Sequence, residues 1–102
     1  MNVVLHGIQL DSQVIAEFCQ RHDVARLSVF GSILGDDFGE VSDVDLLIEF
    51  KPGKRIGFLG MSALELELSR LIGRKADLRT PNDISRHFRK RVMAEAQVQY
   101  AS

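Results

Sequence analysis

The spacing of apolar residues changes several times along the chain, and each change marks an element. Val14, Ile15, Phe18 and Cys19 fall at i, i+1, i+4 and i+5, which gathers them on one face of a helix. Asp11 or Ser12 just before them can accept the free amides of its first turn, and His22-Asp23 closes it. Ala25–Phe30 (ARLSVF) alternates instead, with Leu27 and Val29 to one side and Arg26 and Ser28 to the other; a strand ending at Gly31 is predicted. Val44–Phe50 (VDLLIEF) is the strongest strand signal, and Lys51-Pro52-Gly53-Lys54 breaks it. Helical spacing returns from about Gly57 to Ile72. Met61, Leu64, Leu68, Leu71 and Ile72 form the expected buried stripe, Glu65, Glu67 and Arg70 the wet face, and Gly73 the C-terminal cap. Lys75–Arg79 (KADLR) reads as a short strand with Asp77 opposite Ala76 and Leu78. Thr80-Pro81-Asn82-Asp83 then opens a last helix whose stripe is Ile84, Phe88, Val92, Met93 and Ala96. Residues 1–10 fit a short strand or an irregular lead-in, and Ile33-Leu34 one helical turn inside the glycine-rich stretch 31–42.

Helix, strand, strand, helix, strand, helix is the order of an α+β (α/β-like) domain: a small mixed sheet flanked by helices. With 102 residues the expectation is one domain over 1–102. The 13 basic and 14 acidic residues give a net charge of -1, which excludes a polycation that coats nucleic acid. The single cysteine, Cys19, cannot form an internal disulfide, and its apolar setting makes it a small core residue. No run is apolar for long enough to span a bilayer, and Met1–Leu10 has no basic leader. The expected location is cytoplasmic.

The chemistry gathers around three places. Asp43 and Asp45 lie two apart at the start of a strand, so their carboxylates project from one face while Val44, Leu46, Ile48 and Phe50 face the core. Like charges so close repel unless a cation sits between them, and an oxygen-only donor set suits Mg²⁺. Asp77 joins that face if its strand pairs beside 43–50, and three carboxylates can hold the two metal ions of in-line displacement at phosphorus. Gly31-Ser32 follows directly on a strand end; glycine lets backbone approach a phosphate, and the Ser32 hydroxyl adds a donor. Each part alone has a plainer reading: solvated carboxylates, a simple turn, or an ion pair from Asp77 to Lys75 or Arg79.

Together they form FGS-x10-D-x-D, Phe30-Gly31-Ser32 through Asp43-Val44-Asp45, which resembles the signature of the DNA polymerase β-like nucleotidyltransferases. Gly73–Pro81 (GRKADLRTP) resembles the third-acid segment of their minimal branch. The resemblance covers roughly residues 8–100. It implies a nucleotidyltransferase fold, metal binding by Asp43, Asp45 and Asp77, and a triphosphate held by Gly31 and Ser32. Asp77 would also help activate the attacking hydroxyl. Relatives often carry arginine three positions after the serine, where this chain has Gly35, and that missing cation bears on the level of activity.

The chain is nearly used up by this core, so the expected acceptor is another protein. The resemblance implies an antitoxin that uses ATP and two Mg²⁺ ions to place AMP on a tyrosine of a HEPN-domain ribonuclease toxin. Neither membrane nor direct nucleic-acid binding is expected, and a homo- or hetero-oligomer is open. Two other readings stand beside it: a non-enzymatic antitoxin with a degenerate site, favoured by Gly35, and a nucleotidyltransferase for a small molecule or RNA end. Arg86, His87, Arg89, Lys90 and Arg91 read as a solvated face opposite Phe88 and Val92, with a docking surface for a partner or for phosphates as the alternative. His6 and His22 are assigned no role, and Tyr100 is a core or tail aromatic.

Overall fold

A computed structural model describes residues 2–102; Met1, the first residue of the expected domain, lies outside the described residues. The ambiguous start is a hairpin: β1 (Asn2–Leu5) pairs antiparallel with β2 (Ile8–Asp11). His6 and Gly7 between them both have positive φ (51° and 78°), the handedness that lets a two-residue turn match strand twist. Helix α1 (Ser12–Arg21) follows at once, because Asp11 Oδ1 accepts from the amides of Gln13 (2.9 Å) and Val14 (3.2 Å). Ile15, Phe18 and Cys19 are its buried face, as predicted.

Next come β3 (Val24–Phe30), a short 3₁₀ turn at Gly31–Leu34, and β4 (Val44–Phe50). Helix α2 (Phe58–Ile72) crosses over to β5 (Ala76–Arg79), which lies parallel to β4. A 3₁₀ turn at Pro81–Asp83, α3 (Arg86–Glu95) and β6 (Gln97–Ala101) complete the chain. The main sheet runs β5-β4-β3-β6, with every pair but β4-β5 antiparallel. The expected class therefore holds: a mixed sheet with helices against it.

One sheet face is the core. Leu27 and Val29 of β3, Val44, Leu46 and Ile48 of β4, and Ala76 and Leu78 of β5 are buried there with Phe18 and Cys19 of α1 and Leu64 and Leu68 of α2. Burial pushes the Cys19 thiol up to about 12, which keeps it protonated and inert.

Four details differ from the pattern reading. Leu71 is exposed, while Met61 and Ile72 are only half-buried against the core. Glu65 and Glu67 are not merely wet: Glu67 takes Arg21 (2.5 Å) and His22 (2.9 Å), and Glu65 accepts from the Leu78 amide (2.8 Å). The Thr80–Asp83 cap closes on itself, with Asp83 Oδ2 accepting from the Thr80 amide (3.0 Å). Ile84 then turns extended and is buried, so α3 starts only after Ser85 and buries none of its residues. The fourth is β6, absent from the pattern reading. A bulge places Tyr100 opposite Leu27 but Val98 opposite Ser28, so these two apolar residues face opposite ways, and Tyr100 packs against the core.

Candidate active site

The other face of the sheet carries the chemistry. In β4 it shows Asp45, Leu47 and Glu49, between the residues that enter the core. The registers align Phe30 of β3 with Asp45 of β4, and Asp45 with Asp77 of β5. Side chains at register partners share a face, so Asp77 stands beside Asp45. Asp43 is one step earlier, just before β4 begins, where Lys75 Nζ lies 3.8 Å from its carboxylate. Leu47 and Ser28 are cross-strand partners on this same face and are buried. The turn Pro81–Asp83 packs against β4. The acids thus sit at the edge of a covered surface, and Ser28 lies on the side opposite Leu27 and Val29, as expected, and is buried there.

Gly31 is held to glycine twice over. Its φ is +78°, which L side chains rarely adopt. A Cβ there would meet Asp45, 3.2 Å from Cγ and closer still to Oδ2. The Asp45 carboxylate therefore lies against the Gly31 backbone where β3 ends. Ser32 follows, half-buried, in the turn that closes through the Gly35 amide and the Ser32 carbonyl (3.0 Å). Gly35 is exposed, and a Cβ there would meet only the Ser32 carbonyl at 3.9 Å, so a side chain would fit.

Burial first, and then the charge of Asp77, hold the Asp45 carboxyl above the usual carboxylate range; Arg79 pulls it down and Asp43 adds to the rise. All three acids therefore share one field. They do not close into a cage: among the described residues no three acidic, histidine or cysteine side chains surround one point. Asp43 is paired with Lys75, and Arg79 Nη2 lies 3.4 Å from Asp77 Oδ2. The plainer reading of Asp77 is thus present as geometry. The donor chemistry nevertheless fits a hard divalent cation, since all donors are carboxylate oxygens and Asp45 carries a repulsion that such a cation would relieve.

β5 is an edge strand, and α2 secures it. Ser69 Oγ accepts from the Ala76 amide (2.8 Å) and Glu65 Oε2 from the Leu78 amide (2.8 Å), so the two outward amides flanking Asp77 are satisfied by residues four apart on one helix. The pattern reading missed this because a glutamate on a wet face gives no sign of a strand beside it. Arg79 was legible, being two residues from Asp77 on a strand. Asp77 and Phe30, the register partners of Asp45, each line a cavity. One, about 650 Å³, is lined by Asp77 and Arg79; the other, about 520 Å³, by Phe30 and Gly31. Of the basic residues of α3, Arg89 is tied down by the carbonyls of Pro81 (2.7 Å) and Ile84 (3.2 Å).

The fold is that of a nucleotidyltransferase. The chain belongs to the nucleotidyltransferase domain family, whose model matches residues 11–98. Within it the chain is of the minimal kind: it is 32% identical to a solved structure provisionally described as a minimal nucleotidyltransferase, with a TM-score of 0.67 over 83% of this chain and 85% of that one. A Methanocaldococcus jannaschii relative, provisionally named a protein adenylyltransferase, is 37% identical over 76 residues, 74% of this chain and 80% of the relative. The fold also matches a structure of tri-AMPylated Shewanella oneidensis HEPN toxin with MNT antitoxin, with a TM-score of 0.64 at 14% identity over 89% of this chain and 70% of that one. No helix among the described residues is long and apolar enough to cross a membrane.

Proposed function

We propose that the protein is an Mg²⁺-dependent antitoxin that transfers AMP from ATP to a tyrosine of a cytoplasmic HEPN toxin. The observation that carries this reading is the packing of Asp45 against Gly31 with Asp77 as its register partner. It puts Gly31, Asp45 and Asp77 side by side, which supports the arrangement the resemblance implies. The relative named for protein adenylylation supports the acceptor class, and the shared fold with a toxin–antitoxin complex supports the kind of partner.

On this reading Gly31 and Ser32 hold the triphosphate, and Asp43, Asp45 and Asp77 hold the metal. Bound Mg²⁺ would neutralise charge on the triphosphate and leaving group. The phenolic oxygen attacks the α-phosphorus, an oxygen–phosphorus bond forms, and the bond to the bridging oxygen breaks. Pyrophosphate leaves with the electron pair, and the phenolic proton passes to Asp77 and on to solvent. Positioning supplies most of the rate.

The test is incubation with ATP labelled at the α-phosphate, Mg²⁺ and the product of the neighbouring reading frame. Label on that protein, lost in Asp45→Asn, is expected. Inhibition of the toxin without ATP, unchanged in Asp45→Asn, would overturn the transfer. Label only on RNA or a small hydroxyl compound would overturn the acceptor.

A further inference from the structure

Between the 3₁₀ turn at Gly31–Leu34 and β4 runs the segment 35–43, which forms neither helix nor strand. It ends on Asp43. Asp36, Asp37, Glu40 and Val41 are exposed, and Phe38 is its apolar anchor, half-buried against the core. A stretch with so few buried contacts has little of its own to fix it, yet it delivers Asp43 to the start of β4. Arg74, just beyond the Gly73 cap of α2, reaches across to it. Its guanidinium lies over the Phe38 ring, 4.7 Å from the centroid, and Nη2 donates to the Gly39 carbonyl. His6, from the β1–β2 turn, meets the same ring at 5.0 Å between centroids. The Gly39 carbonyl also accepts from the Ser42 amide (3.1 Å), and the Gly39 amide donates to Ser42 Oγ (3.0 Å). That turn leads directly into Asp43. Beyond Asp43, the Val44 amide donates to the Lys75 carbonyl (2.8 Å). Arg74 and Lys75 therefore hold the chain on both sides of Asp43, one through its side chain and one through its backbone.

We propose that Arg74 is a positioning residue for the metal site: it fixes the Gly39–Ser42 turn so that the Asp43 carboxylate is set for the same ion as Asp45. The inference rests on the functional reading above and adds a residue that reading does not use. Arg74 acts through the turn, not on the reacting atoms. Its backbone is fixed first: the Arg74 amide donates to the Ser69 carbonyl (3.2 Å) where α2 ends and Gly73 turns left-handed (φ 71°). The side chain thus starts from a set point on the helix end. Two interactions then use it at once. A planar guanidinium stacks on a ring and donates from its edge together, whereas an ammonium is a point charge without that geometry. Lys75 is a weaker candidate for the same work. Its side chain is exposed, and its 3.8 Å approach to Asp43 is a surface pair of small energy. The setting of Asp43 therefore falls to the turn and to the arginine that holds it.

The test measures Mn²⁺ affinity by water-proton relaxation in the wild type, Arg74→Ala, Arg74→Lys, Asp43→Asn and the double variant Arg74→Ala/Asp43→Asn. Arg74→Ala should bind Mn²⁺ on the order of tenfold more weakly, and Arg74→Lys should recover part of the loss. Arg74→Lys also keeps the comparison open if the alanine variant folds poorly. Once Asp43 is neutral, Arg74→Ala should cost nothing more, because its effect passes through that carboxylate. In the transfer assay Arg74→Ala should lower kcat by a similar factor with the KM for ATP unchanged. Additive losses in the double variant, or a wild-type Mn²⁺ affinity in Arg74→Ala, overturn the positioning role. A raised KM for ATP at unchanged Mn²⁺ affinity would make Arg74 a nucleotide contact and overturns it as well. AMP transfer together with a Mn²⁺ affinity indifferent to Arg74 would discard this role and keep the function. The expected Mn²⁺ pattern in a protein that transfers no AMP would keep the role and discard the function.

Discussion

Strand β4 has two faces built to opposite ends. Val44, Leu46 and Ile48 enter the core and are sealed from water; Asp45 and Glu49, on either side of Leu47, face the other way and keep partial contact with solvent. The first face gains free energy by removing apolar area from water. The second half-buries an acid and sets others near it, and burial first, then the charge of Asp77, holds Asp45 above its ordinary range. One seven-residue strand thus carries stability on one side and a strained charge cluster on the other, and the apolar side holds the acids in place.

Substitutions on the two faces should therefore separate folding from activity. Leu46→Ala should cost about 2–5 kcal/mol in urea unfolding, because it opens a cavity in the core. Asp45→Asn should abolish AMP transfer while leaving the unfolding midpoint no lower. If both variants lose stability alike, the division between the faces is wrong. Glu65→Ala comes next, at about 1–3 kcal/mol, since the Leu78 amide loses its acceptor; hydrogen exchange should show that amide opening first. Gly31→Ala should cost about 1 kcal/mol for its left-handed backbone. It should lower transfer on the order of a hundredfold by displacing the Asp45 carboxylate, a loss that steady-state kinetics would separate from the small stability change.

The smallest effect is in pH. The folded state holds the Asp45 proton more tightly than the unfolded chain does. Its contribution is fully present below the unfolded pKa and is lost as pH rises through the raised folded pKa. In metal-free protein Asp45→Asn should remove that loss and be the more stable of the two above this window, by a small margin because solvent screens the site. Parallel urea titrations of the two proteins across acidic pH would show it. A variant that follows the wild type at every pH would mean the acids do not share one field.

Legibility followed the range of the interactions. Helix α1, strands β3 and β4, and helix α2 with its Gly73 cap were readable because periodicity and caps act within a few residues. The candidate acids were readable as a motif, from D-x-D and the strand position of Asp77. The late start of α3 was hidden, since the Thr80–Asp83 cap is a true cap on a turn that stops when Ile84 enters the interior. Strand β6 was hidden too: its bulge sends Val98 and Tyr100 to opposite faces, so their spacing of two does not describe a one-sided strand.

What the order of residues determined alone was local: which of the segments up to β5 are helix or strand, and which side of β4 is apolar. The parallel pairing of β5 beside β4, the carboxylate lying on the Gly31 backbone, and the use of Glu65 and Ser69 to hold the edge strand were decided by the tertiary structure. Those contacts join residues from 7 to 32 positions apart, and a short-range pattern carries no record of which partner a strand or an amide will meet once the core has closed.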